Sequence, residues 1–207
     1  MKIFAIGKNY VLHNAEMDGD GYRPSSPVVF MKPESALLRG GRPFFLPEHL
    51  GRVDYEAELV VRISRLGRNV SERFAHRYYD AVTVGIDFTA RDLQRRLKDA
   101  GHPWELSKAF DSSAAIGSWR TLPEGGLSEI GGYHFSLDVN GERKQSGWSG
   151  DMIFGVDELI SYISRFFTLK TGDLLFTGTP AGIGPISIGD HLEGMLEEER
   201  VLDFHIR

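Results

Sequence analysis

Apolar residues come in short bursts along this chain, punctuated by Gly, Pro, Asn and Asp, and few bursts are long enough for a helix. Residues 2–6 and 28–31 predict strands, the second stopped by Pro33. Residues 81–86 predict another, which delivers Asp87 at its end. Residues 135–139 alternate up to Asn140-Gly141, a pair that specifies a tight hairpin when it joins two extended runs. Residues 174–176 predict a strand entering a glycine-rich stretch, and 191–207 a last hairpin. Helical spacing is confined to three places. Residues 10–17 allow one or two turns, and 156–167 carry Leu159, Ile160, Ile163 and Phe166 on one face. Between them, Thr89 and Asp92 have the spacing of a capping box, opening a helix to about Ala100 with Leu93 and Leu97 inward. Gly101-His102-Pro103 should stop it. Strands outnumber helices without regular βαβ alternation, so the expected class is mainly β (α+β), one domain over 1–207.

One predicted strand breaks the apolar rule. In the run 53–63, an extended backbone puts Asp54, Glu56 and Glu58 on one face and Tyr55, Ala57 and Leu59 on the other. Like charges so placed repel unless water or a cation screens them. Val60 and Val61 carry the strand inward, so the carboxylates stand at the mouth of a buried strand. That suggests a hard-cation site in need of a third ligand.

Composition removes several alternatives. The 207 residues suffice for one core, at 41% hydrophobic and 26% charged. A net charge of -5 argues against a nucleic-acid partner. The cluster Arg91, Arg95, Arg96 and Lys98 alternates with acids and reads as a solvated helix face. There is no cysteine, hence no disulfide, zinc-thiolate site or thiol nucleophile. No run approaches the ~18 apolar residues of a membrane span, and the opening residues lack a signal-peptide pattern. Cytoplasm is the expected compartment.

Four groupings could carry chemistry. Glu56, Glu58 and Asp87 offer oxygen ligands suited to Mg²⁺, Mn²⁺ or Ca²⁺ and leave positions open for substrate. The competing reading is a solvated strand face and a helix-capping Asp. His13 and Glu16, at i and i+3, can pair so that the ring acts as a base, although most such pairs are surface contacts. The loop after them, through residue 26, is a candidate lid over about 10–26. Arg91, Gln94 and Lys108 could neutralise an anion beside the cation. In Thr177-Gly-Thr179-Pro-Ala-Gly-Ile-Gly184, backbone N–H groups and the Thr179 hydroxyl could hold a carboxylate; it is neither a Walker A motif nor a dinucleotide fingerprint.

The motifs Gly7-Lys-Asn-Tyr-Val-Leu-His13-Asn-Ala-Glu16-Met, Phe30-Met-Lys-Pro-Glu-Ser-Ala, Asp54-Tyr-Glu56-Ala-Glu58-Leu, Gly85-Ile-Asp87-Phe-Thr-Ala-Arg91-Asp-Leu-Gln94, Ser107-Lys108-Ala-Phe-Asp, Asp151-Met-Ile-Phe and Phe176-Thr-Gly-Thr179-Pro-Ala-Gly-Ile-Gly-Pro occur in this order. Together they resemble the fumarylacetoacetate hydrolase family, in particular its short acylpyruvase/oxaloacetate decarboxylase-like members, over nearly the whole chain. The resemblance implies a mixed β-roll/sandwich with few helices and a homodimer. It implies Glu56, Glu58 and Asp87 as ligands of Mg²⁺ or Mn²⁺, His13 and Glu16 as the water-activating dyad, and Lys108 beside the reacting oxygens. Arg91, Gln94 and Thr179 would bind the substrate. The implied activity is hydrolysis of a C–C bond in a 3-acylpyruvate-type 2-oxo acid through a metal-stabilised enolate. Oxaloacetate decarboxylation and a 2-hydroxyhepta-2,4-diene-1,7-dioate isomerase-type tautomerisation are alternatives on the same groups, and a silent metabolite-binding relative is the non-enzyme alternative. Two stretches depart from the pattern: the loop 18–26, and the run from Gln145 to Asp151 with its Trp and Gly residues.

Overall fold

The computed structural model describes residues 1–207, apart from the side chain of Asp18. The first half of the chain forms β1 (Ile3–Gly7), α1 (Val11–Asp18), β2 (Val28–Lys32), β3 (Leu37–Leu38), β4 (Val53–Tyr55), β5 (Ala57–Ile63), β6 (Tyr79–Asp87), β7 (Thr89–Ala90) and α2 (Arg91–Asp99). The second half forms α3 (Glu105–Lys108), β8 (Ala114–Ile116), β9 (Arg120–Thr121), α4 (Leu127–Ile130), β10 (His134–Val139), β11 (Glu142–Trp148), α5 (Val156–Phe166), β12 (Leu174–Phe176), β13 (Gly184–Pro185), β14 (His191–Leu196) and β15 (Glu199–His205). The fold is mostly β, with a curled half-barrel sheet and a few short helices, as the sequence pattern predicts.

The main sheet runs in the order β2-β1-β12-β5-β6-β8-β3, with β9 added on β6. Its centre, β5 against β6, is built from the most continuous apolar runs, and side chains from it are buried on both faces. Leu59 and Val61 point into one core with Val82, Val84 and the α5 residues Leu159, Ile160 and Ile163. Val60 points the other way, onto Ile3, Ala114 and Phe176. Each such buried aliphatic contributes about 1.5–3 kcal/mol. A four-stranded antiparallel sheet, β11-β10-β14-β15, and a small one, β13-β4-β7, close the remaining sides. Asn140 and Gly141 turn the β10–β11 hairpin, with φ of 54° and 77°, as an Asn-Gly turn requires. Among the described residues no helix is long and apolar enough to cross a membrane.

The run 53–63 is two strands in different sheets. β4 pairs with β7 and β13, whereas β5 pairs with β6 and β12, and Glu56 sits at the corner between them. The predicted capping box is also absent: the helix starts at Arg91 with Ala90 at its N-cap, and Thr89 belongs to β7. Leu93 and Leu97 are only half-buried; the buried members of this helix are Arg91 and Gln94.

Candidate active site

The corner at Glu56 brings the acidic groups together. The Ala57↔Ile86 and Glu58↔Gly85 register, extended by the Asp87 N–H bond to Glu56 O, sets Asp87 opposite Glu56 and diagonal to Glu58. Residues opposed on an antiparallel ladder share a face. Ligand oxygens of Glu56, Glu58 and Asp87 accordingly lie within 4.8 Å of one another, and all three residues are buried. Gly85 contributes no side chain to this face, and a Cβ there would sit 2.6 Å from Val60 Cγ2. Asp54 leaves the group. It accepts from Arg52 and from Arg91 Nε at 2.9 Å.

Three cations are folded against these carboxylates. Lys108 Nζ, brought in by α3, donates to Glu56 Oε2 at 2.7 Å, Asp87 Oδ2 at 2.8 Å and Thr89 Oγ1 at 2.7 Å. Arg91 donates to Glu56 Oε1 at 2.5 Å and to Gln94 Oε1 at 2.8 Å. Lys32, fully buried at the end of β2, pairs with Asp87 Oδ1 at 2.7 Å and donates to the backbone and hydroxyl oxygens of Ser113. The expected solvated helix face therefore does not include Arg91, which turns inward because Asp54 and Glu56 wait there.

Burial alone would raise Glu56, but the Lys108 ammonium and Arg91 guanidinium hold its carboxyl well below the usual range. Burial also disfavours a charged Lys108, yet Asp87 and Glu56 outweigh it and raise its pKa. Glu58 is the contrasting member. Burial first, then Asp87, push it well above the ordinary carboxylate value, against a hydrogen bond from Gly178 N at 2.7 Å. Among the described residues Glu58 alone of the three has no ion pair. The donor set fits a hard divalent cation: it is all carboxylate, and one buried member lacks a counter-charge. Glu56, Glu58 and Asp87 are the residues that would hold it.

α1 covers the cluster. His13 is 9% exposed, and its Nδ1 lies 3.5 Å from Glu16 Oε2, beyond a good hydrogen bond. Burial lowers the His13 pKa despite the nearby Glu56 and Glu16. The Glu16 carboxylate in turn accepts from Gly182 N at 3.2 Å, joining the helix to the glycine-rich loop. Thr179 also lines the cleft, but its hydroxyl donates to Ala57 O at 2.8 Å, so it has no free proton for a carboxylate. The cleft encloses about 50 Å³, room for a few ordered waters. Its outer wall adds Met17, Phe30 and Trp104.

All nine sequence candidates, His13, Glu16, Glu56, Glu58, Asp87, Arg91, Gln94, Lys108 and Thr179, thus lie in or against one cleft. Sequence reasoning assigned no role to Lys32 or Gln145. A Lys ending an apolar strand just before Pro33 is the signal that would have flagged the first.

A buried carboxylate trio thus lies under a short helix in a curled β scaffold. Residues 2–205 match the family described as fumarylacetoacetate (FAA) hydrolase, C-terminal, and the chain belongs to that family. It is 41% identical over 191 residues to the oxaloacetate tautomerase YcgM of Escherichia coli K12, covering 92% of this chain and 86% of that protein. Fumarylpyruvate hydrolase from Pseudomonas aeruginosa, solved with Mn²⁺ and pyruvate, superposes with a TM-score of 0.89 at 35% identity, covering 100% of this chain and 89% of that one. The 2-hydroxyhepta-2,4-diene-1,7-dioate isomerase of Mycobacterium marinum superposes at 0.83 with 32% identity, covering 99% and 73%.

Proposed function

We propose that this enzyme interconverts the enol and keto forms of a small 2-oxo acid, with oxaloacetate as the substrate to test first. The observation that carries the reading is a base, His13, held over a carboxylate and lysine cluster in a cleft too small for bulk water. The oxaloacetate tautomerase and the isomerase among its relatives support it.

Bound to Glu56, Glu58 and Asp87, a Mg²⁺ or Mn²⁺ ion would supply Lewis-acid polarisation of the acid's oxygens. The remaining steps belong to side chains. With its Nδ1 proton directed at Glu16, neutral His13 keeps Nε2 free to take a proton from the carbon next to the keto group. Passing that proton to the enolate oxygen gives the enol, and in the reverse direction His13 takes the enol hydroxyl proton and delivers it to the carbon, so one proton moves between carbon and oxygen. Lys108 stays protonated between Glu56 and Asp87, and its charge stabilises the oxygen on which negative charge develops. Arg91 and Gln94 orient the substrate carboxylate from the helix start. α1 and the loop to residue 26 act as a lid over this cleft.

A second reading is hydrolysis of a 3-acylpyruvate, with the His13–Glu16 dyad activating water; the fumarylpyruvate hydrolase neighbour favours it. The test is Mg²⁺-dependent loss of enol-oxaloacetate absorbance, measured beside pyruvate release from acetylpyruvate and corrected for metal-only rates. Fast enol–keto exchange that His13→Ala removes supports the tautomerase. Acetylpyruvate cleavage lost in the same variant, without exchange, moves the activity to the hydrolase. Neither activity overturns both.

A further inference from the structure

β14 and β15 put a second group of ligand-type side chains on the outer face of the four-stranded sheet. Their register opposes His191 to His205 and Glu193 to Asp203, and side chains so paired share a face. Leu192, Leu202 and Phe204 fill the core side, so these four polar side chains face out, away from the active-site cleft. Strict alternation along β15 would turn Arg200 inward. The irregular pairing between Gly194 and Met195 leaves Val201 as an extra residue, so Val201 is buried and Arg200 joins the outer face.

Each carboxylate is divided between two partners. Arg200 Nη1 lies 2.6 Å from Glu193 Oε1 and 3.2 Å from Asp203 Oδ2. The other oxygens face His191: Asp203 Oδ1 is 2.7 Å from Nε2, and Glu193 Oε2 is 3.8 Å from Nδ1. The His205 ring stacks on that of His191 with centroids 4.4 Å apart, which fixes its plane. Ligand atoms of His191, Glu193 and Asp203 lie within 4.8 Å of one another. Small side-chain rotations bring them to the roughly 3.4 Å that a tetrahedral ion with bonds of about 2.1 Å sets. Two carboxylates against one guanidinium leave a net negative charge while the imidazoles are neutral. We propose that His191, Glu193 and Asp203 form a Zn²⁺-type metal site that staples β14 to β15, with Arg200 orienting the two carboxylates from behind. An imidazole among carboxylates suits Zn²⁺, Ni²⁺ or Cu²⁺, whereas the all-oxygen trio of the cleft suits harder ions. The ion takes the place of the proton shared by His191 and Asp203.

The test is calorimetric titration of Zn²⁺ into tag-free, Mg²⁺-saturated protein. Wild type should show a binding event that His191→Ala weakens by about 10-fold or more, with Mg²⁺ affinity unchanged. Asp203→Asn, on the other strand, should weaken it likewise. Cu²⁺ supplies a second readout: nitrogen hyperfine splitting in its electron paramagnetic resonance spectrum should appear in wild type and be lost in His191→Ala. Zn²⁺ should also raise the melting temperature of wild type and not that of His191→Ala, as a cross-strand staple requires. Equal Zn²⁺ isotherms in wild type and His191→Ala would overturn the site. A loss in His191→Ala but not in Asp203→Asn would mean a lone surface imidazole, and binding without a rise in melting temperature would mean no staple; either result overturns the proposal.

Discussion

Lys108 Nζ lies 2.7 Å from Glu56 Oε2, with the two side chains 5% and 7% exposed. A pair this buried gains little over an apolar replacement of both partners, but removing one leaves the other charged and unsolvated. Lys108→Met should therefore cost about 3–5 kcal/mol in urea unfolding without metal. It should also abolish activity. Mg²⁺ should recover part of the lost stability, because a cation supplies the charge that Glu56 and Asp87 have lost. A variant as stable as wild type in metal-free buffer would show that the ammonium is not compensating these carboxylates.

Glu58 gives the metal prediction. Protons and a cation compete for its carboxylate, and burial with Asp87 raises its affinity for the proton. Mg²⁺ binding should thus begin to weaken, as pH falls, above the ordinary carboxylate range. Chelation with EDTA should lower the melting temperature of wild type, and Glu58→Ala should abolish both Mg²⁺ binding and this response. Calorimetric titration across pH checks all three; pH-independent Mg²⁺ affinity down to the ordinary carboxylate pKa would remove Glu58 from the ligand set.

His13 predicts a pH effect of its own. Its folded pKa lies below the ordinary histidine value of about 6.5, chiefly from burial. The unfolded chain therefore binds more protons in the window between the two values, and stability from this group is lost as pH falls through about 6.5 toward the folded pKa. In His13→Asn this loss should vanish. Urea midpoints of the two proteins, compared without metal, isolate the effect from Glu58, whose raised pKa works in the opposite sense. Parallel pH curves would mean His13 is not buried in its neutral form.

Much of this architecture is readable from residues alone. Apolar runs mark β5, β6 and β12, Asn140-Gly141 marks its hairpin, and the Leu159–Ile160–Ile163 spacing marks α5, because each depends on local pattern and burial. The strand break at Glu56 is different. Both halves look equally extended, and only their separate partners, β7 and β13 against β6 and β12, show the change of sheet. Thr89 has the spacing of a cap, but its hydroxyl oxygen is taken by Lys108. Arg91 reads as a surface residue until Asp54 and Glu56 are known to lie beneath it. Gln145 sits in a polar strand whose burial comes from a loop thirty-odd residues later, beyond any local period.

Glu16 separates two jobs that one carboxylate performs. One is to orient the His13 ring from 3.5 Å, and the other is to accept from Gly182 N and tie α1 to the loop of Thr179. Glu16→Gln keeps an amide oxygen for Gly182 but loses the charge that favours the Nδ1 proton and a basic Nε2 on His13. It should lower kcat by about 100-fold or more, within the range for general acid–base groups, and leave KM nearly unchanged. Glu16→Ala loses both contacts. It should lower kcat similarly, raise KM, and speed proteolytic cleavage within residues 10–26 as the lid loosens. Steady-state kinetics and limited proteolysis on the two variants distinguish the roles. Equal KM and equal cleavage rates in both would mean that the Gly182 bond does not hold the lid.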